Sequence, residues 1–338
     1  MNMSEGLSAV VAAGRSEVAI ASLRAEGVYD DERSVQPRGD DCVAIPVTQP
    51  PERTEIRGIV REAGEPRLRT LEDHLRERGW SDEQVDAAPG SWAVIGSIIL
   101  VDAGEVPDRG ELGDALLALH GAADTVLDRG GVSGDHRVPD LTVLAGEGDT
   151  ETVHTEHGTT YAMDLAEVMF SPGNKSERAR MGRVVSDGER VLDAFAGIGY
   201  FTLPMARAGA RVTAVECNPA AFEYLLENAV RNNVTDRIAA YRGDNRQVVP
   251  ELDGDFDRAV LGHYEAHESL EAVLPTLAEG GRLHLHEATP STLVPDRPLE
   301  RLETAADVAG RSVTKEAVRT VKGYSEGVDH VVVDAIVA

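Results

Sequence analysis

Hydrophobic and polar positions change rhythm twice along the chain. Residues 7–48 describe a small unit: Arg15 to Glu26 has helical spacing, Gly27 to Asp40 is polar and turn-rich, and Asp41 to Val47 (DCVAIPV) reads as a strand. Gln49-Pro50-Pro51 interrupts the pattern. Residues 52–88 are densely charged, with helical spacing at Leu71 to Arg78, and read as a charged linker carrying a helical segment. Ala93 to Ile95 and Ile98 to Val101 then predict strand–turn–strand, Gly110 to His120 an amphipathic helix, and Leu141 to Gly146 and Thr159 to Asp164 further strands, which makes an α+β unit.

From Val191 strands and helices alternate. Strands are expected at Val191 to Ala196, Arg211 to Cys217, Ile238 to Gly243, Phe256 to Leu261 and Arg282 to Glu287. Helices are expected at Phe201 to Ala208, Pro219 to Asn232, Leu270 to Ala278 and Pro298 to Ala309. Arg311 to Tyr324 and Val328 to Val337 read as a closing hairpin. Such repetition predicts an α/β fold with a doubly wound, mostly parallel sheet and an antiparallel hairpin at its edge. The expected domains are 1–50, a linker 51–88, an α+β domain 89–170 and the α/β domain 171–338. No internal repeat or low-complexity tract is visible.

Composition changes the picture in one respect. Net charge is −26, aromatics are 4%, and of 33 basic residues only Lys175, Lys315 and Lys322 are lysine. An acidic surface, scarce lysine and small apolar residues suggest adaptation to high intracellular salt, as in a halophilic archaeon, where the Debye length shrinks to roughly 3 Å at 1 M. The other reading is an ordinary acidic protein that avoids polyanions. In molar salt counterion release contributes little to RNA affinity, so an RNA partner is compatible with the acid excess. No apolar run approaches the ~20 residues that span a bilayer. Met1 to Gly14 has no leader pattern. The two cysteines, Cys42 and Cys217, exclude a disulfide framework and a Cys-based zinc site. The expectation is a cytoplasmic protein without membrane or metal, and a monomer.

Three polar motifs fall at the ends of consecutive predicted strands. Asp193-Ala194-Phe195-Ala196-Gly197-Ile198-Gly199 joins a strand to a helix, where glycines admit a close ligand and helix N–H groups are free. Glu216 ends the second strand, where a carboxylate can accept both ribose hydroxyls. Gly243-Asp244-Asn245 ends the third and can reach an adenine edge. A pyrophosphate-binding loop would carry a third glycine where this chain has Thr202. The ligand is therefore read as an adenosine without phosphates, which points to S-adenosylmethionine. The other reading of Asp193 is structural, as a cap of the glycine loop.

The run Phe170-Ser171-Pro172-Gly173-Asn174-Lys175-Ser176-Glu177-Arg178-Ala179-Arg180, the glycine loop, Glu216-Cys217-Asn218-Pro219 and Glu227-Asn228-Ala229 together resemble the tRNA guanine-37 N1-methyltransferase superfamily. The resemblance spans residues ~90–338 and extends weakly to Gly27-Val28-Tyr29-Asp30 and the strand at Asp41 to Val47, similar to a small tRNA-binding domain. It implies a class I S-adenosylmethionine-dependent transferase fold. One branch methylates N1 of guanine. The other, in wyosine synthesis, transfers the 3-amino-3-carboxypropyl group to 4-demethylwyosine. The methyltransferases typically carry an arginine where this chain has Gly173, and Asn-Leu-Pro where it has Leu261-Gly262-His263-Tyr264. Leu283-His284-Leu285-His286-Glu287 also resembles the second branch. The expected activity is transfer of that group to C7 of 4-demethylwyosine-37 of tRNA(Phe). The alternatives are guanine-37 N1-methylation and a non-catalytic tRNA-binding paralogue.

By this resemblance Ser171, Arg178, Glu216, Asp244 and Asn245 contact the donor, with Asp193 and Gly197 in the loop. Ser171 and Arg178 would lie near the methionine moiety, where Arg178 suits a carboxylate; a pairing with Glu177 or a phosphate is the other reading. His263, His267, His284, His286 and Glu287 could take the proton from C7, although histidines alternating along a strand could simply pack. Proximity alone can supply ~7–11 kcal/mol, so no base need be essential. Lys175, Arg178, Arg180 and Arg183 against Glu177 give a basic stretch that either tracks phosphates or is a solvated helix face. Arg311, Lys315, Arg319 and Lys322 form a second such set. Tyr200 and Tyr264 either stack on the flipped base or belong to the core.

Overall fold

The computed structural model describes residues 5–134 and 138–338. The chain divides into two compact units, 1–87 and 88–338.

In the first unit β1 (Glu5–Ala12), β2 (Gln36–Arg38), β3 (Cys42–Val47) and β4 (Gly58–Ala63) form an antiparallel sheet ordered β2-β3-β1-β4. Helix α1 (Ser16–Glu26) ends at Gly27, whose φ of 71° suits the left-handed stop. It buries Ala19 and Leu23 against Ala9, Val11, Ile45 and Val47. Strand β4 comes from the stretch expected to be a linker. It pairs only with β1 and has no fully buried residue, so burial left little alternation to read. Helices α2 (Leu71–Glu77) and α3 (Asp82–Asp86) each start with a capping box, Thr70 with Asp73 and Ser81 with Gln84.

The second unit opens with β5 (Trp92–Ile95), β6 (Ile98–Val101), β7 (Thr125–Ser133) and β8 (Val138–Gly146), in that spatial order. Strands β6 and β7 are parallel, joined by helix α4 (Arg109–Leu119), which Asp108 caps. A hairpin of β9 (Glu151–Glu156) and β10 (Thr159–Asp164) and helix α5 (Lys175–Val184) lead into the main sheet.

That sheet comprises β11 (Arg190–Asp193), β12 (Arg211–Glu216), β13 (Ile238–Arg242), β14 (Phe256–Leu261), β15 (Leu277–Pro290), β16 (Val313–Ser325) and β17 (Val328–Val337). Its order is β13-β12-β11-β14-β15-β17-β16, the first five parallel and β17 inserted antiparallel between β15 and β16. The connecting helices are α6 (Thr202–Arg207), α7 (Pro219–Arg231), α8 (Asn245–Val248), α9 (Leu270–Val273) and α10 (Asp296–Val308). Adjacent Val191 and Leu192 of β11 enter two different apolar clusters, one on each face, as a period of two requires. The helix expected at Leu270 to Ala278 is shorter. Pro275 falls in a 3-10 turn after α9, and the chain is already strand at Leu277.

Asn228 of α7 and Asn232, which caps its C-terminus, replace a strand along the edge of β10. Asn228 is fully buried; its Oδ1 accepts from Ala162 N at 2.7 Å, and its Nδ2 donates to Ala162 O at 3.0 Å and to Ile198 O at 3.1 Å. One turn later Asn232 does the same to Thr160, with distances of 3.0 and 2.7 Å. The glycine loop is thereby tied to the hairpin through α7.

Candidate functional site: a nucleoside cavity at the strand ends

Strand order reverses between β11 and β14, which opens a crevice at their carboxyl ends. A cavity of about 660 Å³ lies there, large enough for a nucleoside with a side arm. Its wall includes Ser171, Asn174 and Arg178 before and within α5, Phe195 and Gly197 after β11, Glu216 at the end of β12, Asp244 and Asn245 after β13, and Gly262 and His263 after β14.

Glu216 is fixed from two sides. Gly197 N donates to Oε2 at 2.7 Å and Asn218 N to Oε1 at 2.7 Å. Gly197 has φ 54°, and a Cβ on it would run into the Tyr200 ring. Burial pushes the Glu216 carboxyl up, against the pull of the Asn218 and Gly197 N–H groups. The oxygens retain further lone pairs for the two hydroxyls of a ribose. Asp193 lies beneath the loop and not in the wall. Fully buried, it accepts from Thr202 Oγ1 at 2.7 Å, and burial raises its carboxyl to about 6. Thr202, at the position of the absent third glycine, is therefore its partner.

Several expected contacts take another form. The Arg178 fork holds Glu156, Nε at 2.8 Å and Nη2 at 2.9 Å, while Nη1 donates to Ser171 O at 2.9 Å. The carboxylate expected from the donor is thus supplied by the protein, on strand β9, which sequence periodicity does not reveal. Asn245 donates through Nδ2 to Ala194 O at 3.0 Å and accepts from Ser269 Oγ at 2.7 Å. Its amide ties the chain after β13 to the end of β11, and the residue also lines the cavity. Asp244 caps α8 and pairs with Arg246 at 2.7 Å, which holds its carboxyl below the usual range.

Of the three leading base candidates only His263 lines the cavity, stacked on Phe195 with centroids 5.1 Å apart. His286 and Glu287 are buried in β15, away from it. Glu287 accepts from Thr289 at 2.8 Å and pairs with Arg297 at 3.0 Å and Arg301 at 2.9 Å, both on α10. His286 meets His330 of β17 at 3.0 Å and packs near Phe201. His284 meets Asp334 at 2.6 Å and Arg258 at 2.6 Å. Tyr200 is in the cavity wall, whereas Tyr264 packs between Tyr324 and His330.

The basic stretch of α5 is largely internal. Arg180 reaches Asp334 at 2.7 Å and Glu177 at 3.3 Å, and Arg319 binds the same two carboxylates. Arg311 donates to the carbonyls of Leu274, Leu277 and Ala278. Lys175, Arg183 and Lys315 are exposed.

The His286–His330 pair carries a pH prediction. Burial first, then Lys322 and Arg319, lower His330 to about 4, and burial holds His286 well below its ordinary value. A depressed histidine contributes stability that is complete above ~6.5 and is lost as pH falls toward the folded value. Asp193, raised, acts in the opposite sense between about 4 and 6. Replacing His330 with Phe should therefore remove about 2 kcal/mol of the stability difference between pH 7 and pH 5. Urea unfolding at both pH values measures it, and an unchanged difference refutes the assignment.

Strand order, with an antiparallel last hairpin and a cavity at the switch point, defines a class I S-adenosylmethionine-dependent transferase fold. Residues 152–314 match the TRM5/TYW2 methyltransferase domain, and residues 71–150 match the TYW2 N-terminal domain. The tRNA(Phe) (4-demethylwyosine(37)-C(7)) aminocarboxypropyltransferase of Pyrococcus horikoshii is 37% identical over 257 residues, covering 75% of this chain and 91% of that relative. The chain belongs to the TRM5/TYW2 family. The structure of P. horikoshii TYW2 in complex with MeSAdo superposes with a TM-score of 0.69 at 34% identity, covering 80% of this chain and 99% of that one. Trm5b from Pyrococcus abyssi gives 0.72 at 28% identity, covering 98% and 99%. Among the described residues no helix is long and apolar enough to cross a membrane.

Proposed function

We propose that this chain transfers the 3-amino-3-carboxypropyl group of S-adenosylmethionine to C7 of 4-demethylwyosine at position 37 of tRNA(Phe), acting as a cytoplasmic monomer. One observation carries the reading. The two segments that separate the branches, Ser171-Pro172-Gly173-Asn174 and Leu261-Gly262-His263-Tyr264, supply wall residues to the same cavity. The names of the 37% and 39% identical archaeal relatives support it.

The sulfonium has three electrophilic carbons, and geometry selects among them. When C7 attacks the methylene carbon of the amino-acid arm, a C–C bond forms and that C–S bond breaks. The electron pair goes to sulfur, methylthioadenosine leaves, and C7 loses its proton. In this chain Glu216 orients the ribose, while Gly197 lets the nucleoside approach the backbone. His263, the one of the three leading base candidates that lines the cavity, is the proposed base.

The methyltransferase reading retains one specific support: the Trm5b structure covers 98% of this chain, against 80% for TYW2. Donor labelled separately in the methyl and the carboxyl carbon decides. Carboxyl label entering tRNA that bears 4-demethylwyosine is the expected result. Methyl label entering tRNA instead overturns it in favour of methylation, and retained tRNA without either label identifies a binding paralogue.

A further inference from the structure

A second cavity, of about 270 Å³, lies beside α5 and α6 and shares only Arg178 with the nucleoside cavity. Three elements close on it: the β9–β10 turn, the later part of α5 and the end of α6. The transfer reaction gives it no task. Its one carboxylate is Glu156, which the Arg178 fork already holds at 2.8 and 2.9 Å. Arg183 and Arg207, from the last turns of α5 and α6, also line it. Among the described residues neither of them has a hydrogen-bond or ion-pair partner, in a chain of net charge −26 where carboxylates abound.

Local geometry gathers these cations and leaves the volume open. The two helices meet at Gly182, where a Cβ would sit 3.0 Å from Pro204 O, one residue before Arg183. On the third side the chain turns at His157 and Gly158, whose φ values are 48° and 78°. A Cβ on Gly158 would come within 3.2 Å of Arg207 Nη2, so that guanidinium lies against the turn. His157 adds an imidazole to the wall. Ala179 and Gly182, one turn apart on α5, bring no side chain long enough to fill the space.

Such a wall offers N–H donors and positive charge, with its carboxylate already taken. The complementary ligand is an oxyanion. One carboxylate is satisfied by a single guanidinium fork, whereas a phosphate has oxygens enough for two. The volume falls below the ~300–1,000 Å³ of pockets for drug-sized ligands, which suits one phosphate group and little more. Both arginines are exposed, so the mouth also admits a phosphate that stays part of a polymer. We infer that Arg183 and Arg207 form a phosphate-binding site separate from the nucleoside cavity. The phosphate comes from a tRNA backbone or from solution, and the two sources are separable by experiment.

The test titrates inorganic phosphate into the full chain by calorimetry and measures tRNA(Phe) binding by filter retention, at one ionic strength throughout because such affinities follow salt. Arg183→Gln and Arg207→Gln each remove one exposed charge, and each should weaken the phosphate-bearing ligand about 10-fold, the size of one charge-assisted bond. Far-ultraviolet circular dichroism should match the wild type, and methylthioadenosine affinity should stay within about twofold. Loss of tRNA affinity in both variants, with inorganic phosphate competing against tRNA on the wild type, makes the RNA backbone the source. Phosphate binding that both variants lose, with tRNA affinity unchanged, makes solution the source. Phosphate bound equally by variants and wild type overturns the site, as does a wild type that binds none while the variants keep their tRNA affinity. Loss of tRNA affinity without competition by phosphate reduces the arginines to general attraction and overturns it too. A parallel loss of methylthioadenosine affinity refutes the separation from the nucleoside cavity.

Discussion

Replacing Glu216 with alanine is expected to raise the dissociation constants of S-adenosylmethionine and methylthioadenosine alike, by about 100-fold or more. Two charge-assisted bonds to a ribose are worth roughly 1.5 kcal/mol each or more, and 1.4 kcal/mol is about a factor of ten. The carboxylate also holds the N–H groups of Gly197 and Asn218, so its loss frees the loop against which the nucleoside packs. Glu216→Gln does not rescue. An amide can accept on one side only, and its NH2 would face a backbone N–H on the other. Calorimetry on both nucleosides makes the measurement. Unchanged affinity would sink the ribose assignment, and a loss confined to S-adenosylmethionine would move Glu216 to the amino-acid arm.

Asn228→Ala should be the most destabilising single change in the second unit, by about 3–5 kcal/mol. It removes three hydrogen bonds and leaves Ala162 N, Ala162 O and Ile198 O without those partners in the interior. Each stranded group costs roughly 1–3 kcal/mol. Asn228→Asp should also fail, since a carboxylate accepts from Ala162 N but cannot donate to the two carbonyls. Guanidinium unfolding of the purified variants gives the number. A cost below about 1 kcal/mol would mean that water replaces the side chain without loss.

The alternating strands and helices of the second unit were legible because a parallel sheet covered on both faces needs near-continuous apolar strands. The closing hairpin was legible as two strand-like runs, Arg311 to Tyr324 and Val328 to Val337, separated by a short turn. Strands β4 and β9 were not, since edge pairing and partial burial leave a mixed pattern, and neither was β1, which is internal to its sheet but only partly buried. At the site, Glu216 and Gly197 could be placed from strand ends and a glycine turn alone. Arg178, Asn245 and Arg180 could not. Residue type announced a polar contact, but the partners (Glu156, Ala194 and Ser269, Asp334) lie 22 to 154 positions away. His286 and Glu287 misled for a related reason. The strand they occupy runs 14 residues, so its later positions lie under β17 and α10 and not beside the crevice.

The linked charges beneath α5 have a consequence for how this sequence can vary. Glu177, Arg180, Arg319, Asp334, His284, Arg258 and Glu189 form one connected set, each sharing a partner with the next. Removing any single member strands the neighbours' charges in the interior, and effects within such a set do not add. Descent with modification therefore cannot exchange these seven one at a time as freely as it exchanges isolated surface charges. A relative that lacks Asp334 should have altered His284 and both of its arginines too, so that the set is inherited, or abandoned, as a block.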